Sequence, residues 1–349
     1  MIKRTICILT AVFLLLPLAA CGKPAVQRFS DQYTDSFDTV TQVTIYASDQ
    51  KTFEENSRLI HDELLKYHRY YDIYKEYEGI ANIKTINDNA GIAPVKVSQE
   101  VMGLLLFSRE MYRITEGRTN VALGSVLKIW HEYRSAGLAD PQKAQVPGRE
   151  ELEKAARHTD MEKLIINEKD STVYLADPLM SLDVGAVAKG YAAEQTSRKA
   201  REAGVSSGLI SVGGNVCVIG VKADSGGLWK VGVQNPDIED TEQPYIHLVE
   251  IADRSLVTSG DYIRFYTANG KKYHHIIDPS TLYPSDYCRS VTIICADSGK
   301  ADALSTALFC MPWEEGLSLV EKQEDAEAMW VLSDGEERFS SGFEALMTE

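Results

Sequence analysis

The sequence predicts an α+β fold: mixed sheets with helices packed against them. Two observations carry that reading. Segments with helical and strand periodicity follow one another without the regular β-α-β alternation of a doubly wound parallel sheet. Neither a short-period repeat nor a low-complexity tract interrupts them over 349 residues, ample length for one or two domains with a large core.

The elements follow in order. Thr39 to Ala47 sets Val43 and Ile45 against Gln42 and Thr44 and reads as a strand. Phe53 to Tyr74 spaces Leu59, Ile60, Leu64, Leu65 and Tyr71 as one face of a helix. Ser98 is placed to cap a second helix carrying Leu104, Leu105, Met111 and Tyr112. Ala136 to Pro147, rich in Ala, Gly and Pro, reads as a loop, and Arg149 to His158 as a short charged helix. Lys163 to Ile166 and Thr172 to Leu175 read as a hairpin. Leu179, Met180 and Leu182 form a strand-like stretch entering Asp183, after which Gly185 opens a helix-like run holding Lys189. Gly208 to Gly220 is an apolar strand interrupted at Gly213 and Gly214. Strands are expected over Trp229 to Val233, Tyr245 to Ile251, Leu256 to Thr258, Lys271 to Ile277 and Ser290 to Ala296. A helix over Lys300 to Met311 and a strand over Ala328 to Leu332 complete the series.

The N-terminus reads as a targeting segment. Lys3 and Arg4 precede an apolar run, Ile6 to Leu16, too short to cross a bilayer comfortably. Leu18-Ala19-Ala20-Cys21 then resembles a bacterial lipobox. That resemblance implies a signal peptide over 1–20, cleavage before Cys21, lipidation of its sulfur and an extracytoplasmic protein anchored to the membrane. The polar stretch 21–36 reads as a tether.

The formal net charge is −15, and a leader bearing two cations leaves the remainder still more acidic. Such a chain is a poor partner for nucleic acid and for anionic lipid. An anionic ligand would need a metal or a local basic pocket. The cysteines outside the leader and lipobox, Cys217, Cys288, Cys295 and Cys310, form no C-x-x-C pair, which argues against zinc. Cys217, Cys295 and Cys310 lie in apolar runs and read as buried free thiols.

Four segments hold candidate chemistry. In SLDVGAVAKGYAAEQ, Ser181 to Gln195, a carboxylate, a helix N-terminus and a lysine coincide where a strand-like stretch ends. That arrangement suits a phosphate ester, and it equally suits a turn with a solvated lysine. In KADALSTALFCM, Lys300 to Met311, Asp302 and Thr306 lie one helical turn apart. Their oxygens suit a hard cation such as Mg²⁺; the alternative is a first-turn dipole partner and a core threonine. His275 beside Asp278-Pro279 is either a general base or a turn residue. Thr258, Ser259, Gly260 and Asp261 cluster at a strand end, a weak phosphate-binding signal.

Taken together and in this order, these segments resemble the ApbE family, the FAD:protein FMN transferases. The resemblance runs from about Phe37 to Met311. It rests on Phe37-Asp38-Thr39, Ile86-Asn87, Ala122 to Ser125 with Ile129-Trp130, Asp183 to Tyr191, Gly213-Gly214, Thr258 to Asp261, His275 to Pro279 and Ala301 to Ala307. It implies an ApbE-like, T-fold-related domain over 37–349 that transfers the FMN half of FAD to a threonine of a target flavoprotein, releasing AMP. The targets it implies are extracytoplasmic flavoproteins of membrane redox complexes. An FAD pyrophosphatase and a non-catalytic FAD-binding lipoprotein remain as alternatives. By resemblance, Mg²⁺ is held by the backbone oxygen of Ala186 and the side chains of Asp302 and Thr306. Flavin-nucleotide contacts fall on Phe37, Tyr74, Ala122, Leu123, Gly124, Asp183, Lys189, Ser259 and Ile277. Catalytic roles fall on Lys189 and on His275 or Asp261 as base, with His275 preferred because an unperturbed imidazole titrates nearer neutrality. Three departures stand out: Phe37 replaces the usual methionine, Asn120 and Ala122 replace frequent Asp and Thr, and Leu282 replaces the usual glycine.

Overall fold

The computed structural model describes residues 26–348. The expected signal peptide 1–20, Cys21 and the first residues of the expected tether lie outside the described residues. The remainder of that stretch is a strand, not a tether: β1 (Gln27–Ser36) pairs antiparallel with β2 (Thr39–Ala47). Its sequence hid this because both of its faces are largely exposed, so no apolar alternation marks it. Phe37 and Asp38 form the connecting turn, both at positive φ.

The chain then enters α1 (Gln50–Tyr71), where the Asp49 carboxylate accepts from the Thr52 amide at 2.8 Å. A capping box between Asn82 and Thr85 opens α2 (Ile83–Asp88). Next come β3 (Val95–Lys96) and α3 (Gln99–Ile114), capped by Ser98 as expected. After them follow α4 (Gly124–Ala139) and α5 (Arg149–Ala156). The expected loop from Ala136 thus begins only after Ala139. The expected hairpin is present as β4 (Leu164–Asn167) and β5 (Thr172–Leu175), joined by β3 into a small sheet.

The stretch before Asp183 is not a strand; it makes a single parallel bridge between Leu123 and Ser181. It leads into α6 (Ala188–Glu202), β6 (Gly208–Val212) and β7 (Asn215–Ile219). β8 (Trp229–Gln234) and β9 (Tyr245–Ile251) form a hairpin, followed by β10 (Ser255–Gly260). β11 (Phe265–Ala268) and β12 (Lys271–His274) form another hairpin, β12 ending three residues before the expected Ile277. The chain closes with β13 (Cys288–Cys295), α7 (Ser298–Phe309), α8 (Trp313–Val320), β14 (Glu327–Leu332) and β15 (Glu337–Phe339).

The main sheet has eight antiparallel strands in the order β1-β2-β6-β7-β10-β13-β14-β15. Alternation along its strands sorts side chains into two layers. Val43, Ile45, Ile210, Val257, Ile293 and Trp330 face the helices α1, α3, α6 and α7 in the larger core. Val218, Leu256, Ile294, Met329 and Val331 face the β8–β9 hairpin and Phe343. A third cluster joins α4 and α5 to the β11–β12 hairpin around Trp130 and Tyr266. α7 lies deepest, with Thr306 and Lys300 its only residues not fully buried. The four described cysteines are buried free thiols. Among the described residues, no helix is long and apolar enough to cross a membrane.

Candidate active site

The helix pair α6 and α7 brings two predicted motifs together. The Gly190 amide lies in the first turn of α6, where N–H groups have no acceptor within the helix. Here it donates to Oδ2 of Asp302 at 2.8 Å. The Ala186 carbonyl, in the turn before α6, accepts no hydrogen bond from a described residue. Asp302 is 4% exposed, and burial pushes its carboxyl above the ordinary value, opposed by the nearby Lys189 charge and the Gly190 amide. Asn215 lies close by, also buried, and its amide nitrogen has no hydrogen-bond partner. Thr306 sits one turn on from Asp302, on the partly exposed side of α7.

A buried carboxylate, a hydroxyl one turn on and a carbonyl without a donor at the entry to α6 are oxygen donors of the kind a hard cation prefers. Among the described residues no three of His, Cys, Asp or Glu converge as a metal cluster. The predicted ligand set contains only one such side chain.

β10 closes this region from the side. Ser305 donates to the Asp302 carbonyl at 2.9 Å. The 2.8 Å contact between Ser259 and Ser305 therefore has Ser259 as donor. Ser259 is thus tied to the helix that carries Asp302. Asp261, one residue beyond β10, pairs with Lys272 at 3.4 Å and lies on the side of His274.

The two adjacent histidines differ in kind. His274 is structural: Nε2 donates to the Ser285 carbonyl at 2.7 Å and Nδ1 accepts from the Ile276 amide. His275 faces Arg264, Lys189 and Arg134, and its Nδ1 is buried without a partner. Burial, reinforced by those cations, pulls its pKa down to about 3 and keeps the ring neutral.

Asp183 is positioned by three contacts. Its amide donates to the Val121 carbonyl at 2.8 Å, and its Oδ1 accepts from the Gly185 amide at 2.9 Å. Asn87 grips the preceding residue, accepting from the Leu182 amide at 2.7 Å and donating to its carbonyl at 2.9 Å. The remaining oxygen, Oδ2, lies 3.8 Å from Nε2 of His131, whose Nδ1 is 3.0 Å from the Tyr74 hydroxyl. Tyr74 is 61% exposed at the rim. The Asp38 charge in the β1–β2 turn bears on it, which places that turn nearby. Beside Asp38, Phe37 packs edge-on against His68 and donates its amide to Nδ1 of that residue.

The other predicted contacts are inward. Ala122, Leu123 and Gly124 are buried, so their side chains serve packing and only backbone can serve a ligand. Gly124 is required sterically: a Cβ there would lie 2.3 Å from the Ser181 carbonyl oxygen. Ile277 is buried and its carbonyl accepts from the Cys310 thiol. Leu282, standing at the usual glycine, adopts φ +67°, so the turn keeps the conformation glycine would supply. Its carbonyl accepts from the Trp130 indole at 3.0 Å.

Sequence reading missed three residues of this cleft. His131 and Arg134 sit three apart on α4, a helix the sequence left undescribed, and they line one small cavity with His275. The i, i+3 spacing of two basic residues was the available signal. Arg264 follows Asp261 by three residues in a stretch read only for its hydroxyls.

A mixed α+β fold that sets His131, Arg134 and His275 around one cavity, with the Lys189 charge acting on both His275 and the buried Asp302, is suited to an anionic ligand. The sequence profile of the ApbE family matches residues 37–330. An FAD:protein FMN transferase of Klebsiella pneumoniae (strain 342) is 33% identical over 279 residues, covering 78% of this chain and 83% of that protein. One from Treponema pallidum (strain Nichols) is 33% identical over 273 residues, covering 74% and 73%. The crystal structure of the ApbE protein from Thermotoga maritima superposes with a TM-score of 0.80 at 28% identity, covering 93% of this chain and 100% of that one. The flavin transferase ApbE from Vibrio cholerae shares the fold, with a TM-score of 0.76 at 23% identity over 92% of this chain and 100% of that one. This chain belongs to the ApbE family.

Proposed function

We propose that this protein transfers the FMN half of FAD to a threonine hydroxyl of a target flavoprotein and releases AMP. The observation that carries the reading is the Gly190–Asp302 hydrogen bond. It draws the Asp183–Lys189 segment and α7 into one cleft. In the reaction the threonine oxygen attacks the phosphorus on the flavin side of the diphosphate. The bond from that phosphorus to the bridging oxygen breaks, and AMP leaves with the electron pair.

Ala186 through its carbonyl, with Asp302 and Thr306, would hold Mg²⁺. The ion when bound neutralises charge on the diphosphate and on the leaving AMP. Lys189 adds a positive charge beside Asp302 and His275. His275, held neutral with an unpartnered Nδ1, would accept the threonine proton; Asp261 is the weaker choice because Lys272 already pairs with it. Tyr74, Phe37 and Asp183 offer the flavin nucleotide ring and polar contacts at the rim. Ser259, Ile277 and the Ala122–Gly124 backbone support the walls. Lipidation at Cys21 would hold the enzyme on the outer face of the membrane, where extracytoplasmic flavoproteins of membrane redox complexes are its targets.

Co-expression with a threonine-bearing target and mass analysis of that target tests the proposal. The expected result is an added FMN on threonine that requires FAD. Free FMN produced equally with and without target, and no modified threonine, would replace transfer by hydrolysis.

A further inference from the structure

The strongly acidic chain concentrates positive charge around His275. Arg134 is half-buried on α4 and lines a cavity with His131, His275, Tyr266 and Tyr273. α4 packs closely on β11 there: a Cβ on Gly137 would lie 2.7 Å from the Tyr266 ring. Arg264, exposed, immediately precedes β11, whose Tyr266 lines that cavity. Each guanidinium feels the other, and both act on His275.

Arg134 is set apart by its place: half-buried, it lines a cavity with His275, whose Nδ1 has no partner. Arg118 pairs with Asp278 and Glu315, Arg198 with Glu194 and Asp297, and Arg201 with Asp253. Among the described residues, the side chains of Arg134 and Arg264 have no carboxylate within ion-pairing distance and make no hydrogen bond. The chain has 51 acidic residues to supply such partners. Two like charges held close are unfavourable, Asp183 being the one carboxylate whose charge acts on Arg134, and a guanidinium presents a planar fork matched to phosphate oxygens. His275, whose buried Nδ1 is also unpartnered, lines the same cavity as Arg134.

We propose that Arg134 and Arg264 form a second anion subsite of the cleft, a fork for one phosphate of the flavin dinucleotide. This rests on the flavin-transfer reading and divides the diphosphate between two sources of positive charge. The Lys189–Asp302 floor takes one phosphate, and the arginines on α4 and before β11 take the other.

The test is a binding series on the full chain with Mg²⁺ present: riboflavin, FMN, adenosine, AMP and FAD, measured on the wild type, Arg134→Gln, Arg264→Gln and the double variant. Each single change is expected to weaken FAD about tenfold and the double change about 100-fold, with riboflavin and adenosine unchanged. The monophosphate that weakens alongside FAD, FMN or AMP, identifies which half the arginines hold. Arg134→Lys should recover part of the loss. Folded variants that bind FAD, FMN and AMP as the wild type does would overturn the subsite. Failure of the transferase reading looks different: the wild type itself would not bind FAD. Inorganic pyrophosphate should then still raise the melting temperature of the wild type and not of the double variant, and equal shifts would overturn the subsite in that case as well.

Discussion

The backbone amide of Gly190 donates to Oδ2 of Asp302 at 2.8 Å, across 112 positions of sequence. The approach leaves no room for a side chain. A Cβ at position 190 would lie 2.4 Å from the Asp302 Cβ and 2.4 Å from the Ser298 carbonyl oxygen. Gly190 is needed for closeness rather than for backbone freedom, and that closeness fixes Asp302 against the entry to α6.

Gly190→Ala should therefore push α6 and α7 apart. Overpacking of this kind costs about 1–3 kcal/mol, which in a domain of this size lowers the melting temperature by several degrees. Displacing Asp302 by as little as ~1 Å should cut FMN transfer about 100-fold. Calorimetry and a flavinylation assay on one preparation check both effects. Unchanged melting together with unchanged turnover would contradict the packing argument.

Asp302→Asn separates charge from shape. The amide oxygen can still accept from Gly190. Burial raises the Asp302 carboxyl above its ordinary value, so the folded protein holds that proton more tightly than the unfolded chain does. The associated stability is present below the ordinary value of 3.8 and is lost as pH rises through the raised one. At pH 7 without divalent cation, Asp302→Asn should melt no lower than the wild type. Mg²⁺ should stabilise the wild type and not the variant, and transfer should fall by at least ~100-fold. Mg²⁺-stimulated transfer retained by the variant would remove Asp302 from the metal's ligands.

His275 sets the pH behaviour of the free enzyme. Its pKa, pulled down to about 3, leaves it neutral across the physiological range. Stability linked to this group is present above 6.5 and is lost as pH falls toward about 3. kcat/KM should show no inflection from His275 between pH 5 and 8, while His275→Gln should lower kcat about 10²–10⁴-fold if the ring takes the threonine proton. A titration near 6.5 that disappears in His275→Gln would show that the ring is not held neutral.

Motifs with dense local chemistry were legible in the sequence; features made by tertiary contact were not. Asp302 and Thr306 stood out through helical spacing, and Asp183 and Lys189 through a turn followed by a helical run. The grip of Asn87 on Leu182 and the chain from Tyr74 through His131 to Asp183 join distant segments, so no local period announces them. β1 escaped notice because an exposed edge strand carries no apolar alternation, and α4 because its buried face is narrow, carried mainly by Val126 and Trp130. Leu282 shows the reverse case. Its sequence departs from the usual glycine, yet the backbone there stays left-handed. Its partly buried side chain packs against the α4 cluster, which helps offset the strain of that conformation.

The depth of α7 has one more consequence. A helix with almost no face toward solvent cannot swing aside to admit a bulky dinucleotide without dissolving the core around it. The floor of the cleft is therefore fixed, and adjustment on ligand entry falls to the rim. The Phe37-Asp38 turn and the Tyr74 ring are each held by one histidine, His68 and His131, so a shift of either costs a single hydrogen bond rather than a core: a rigid bed beneath a lightly tied lip.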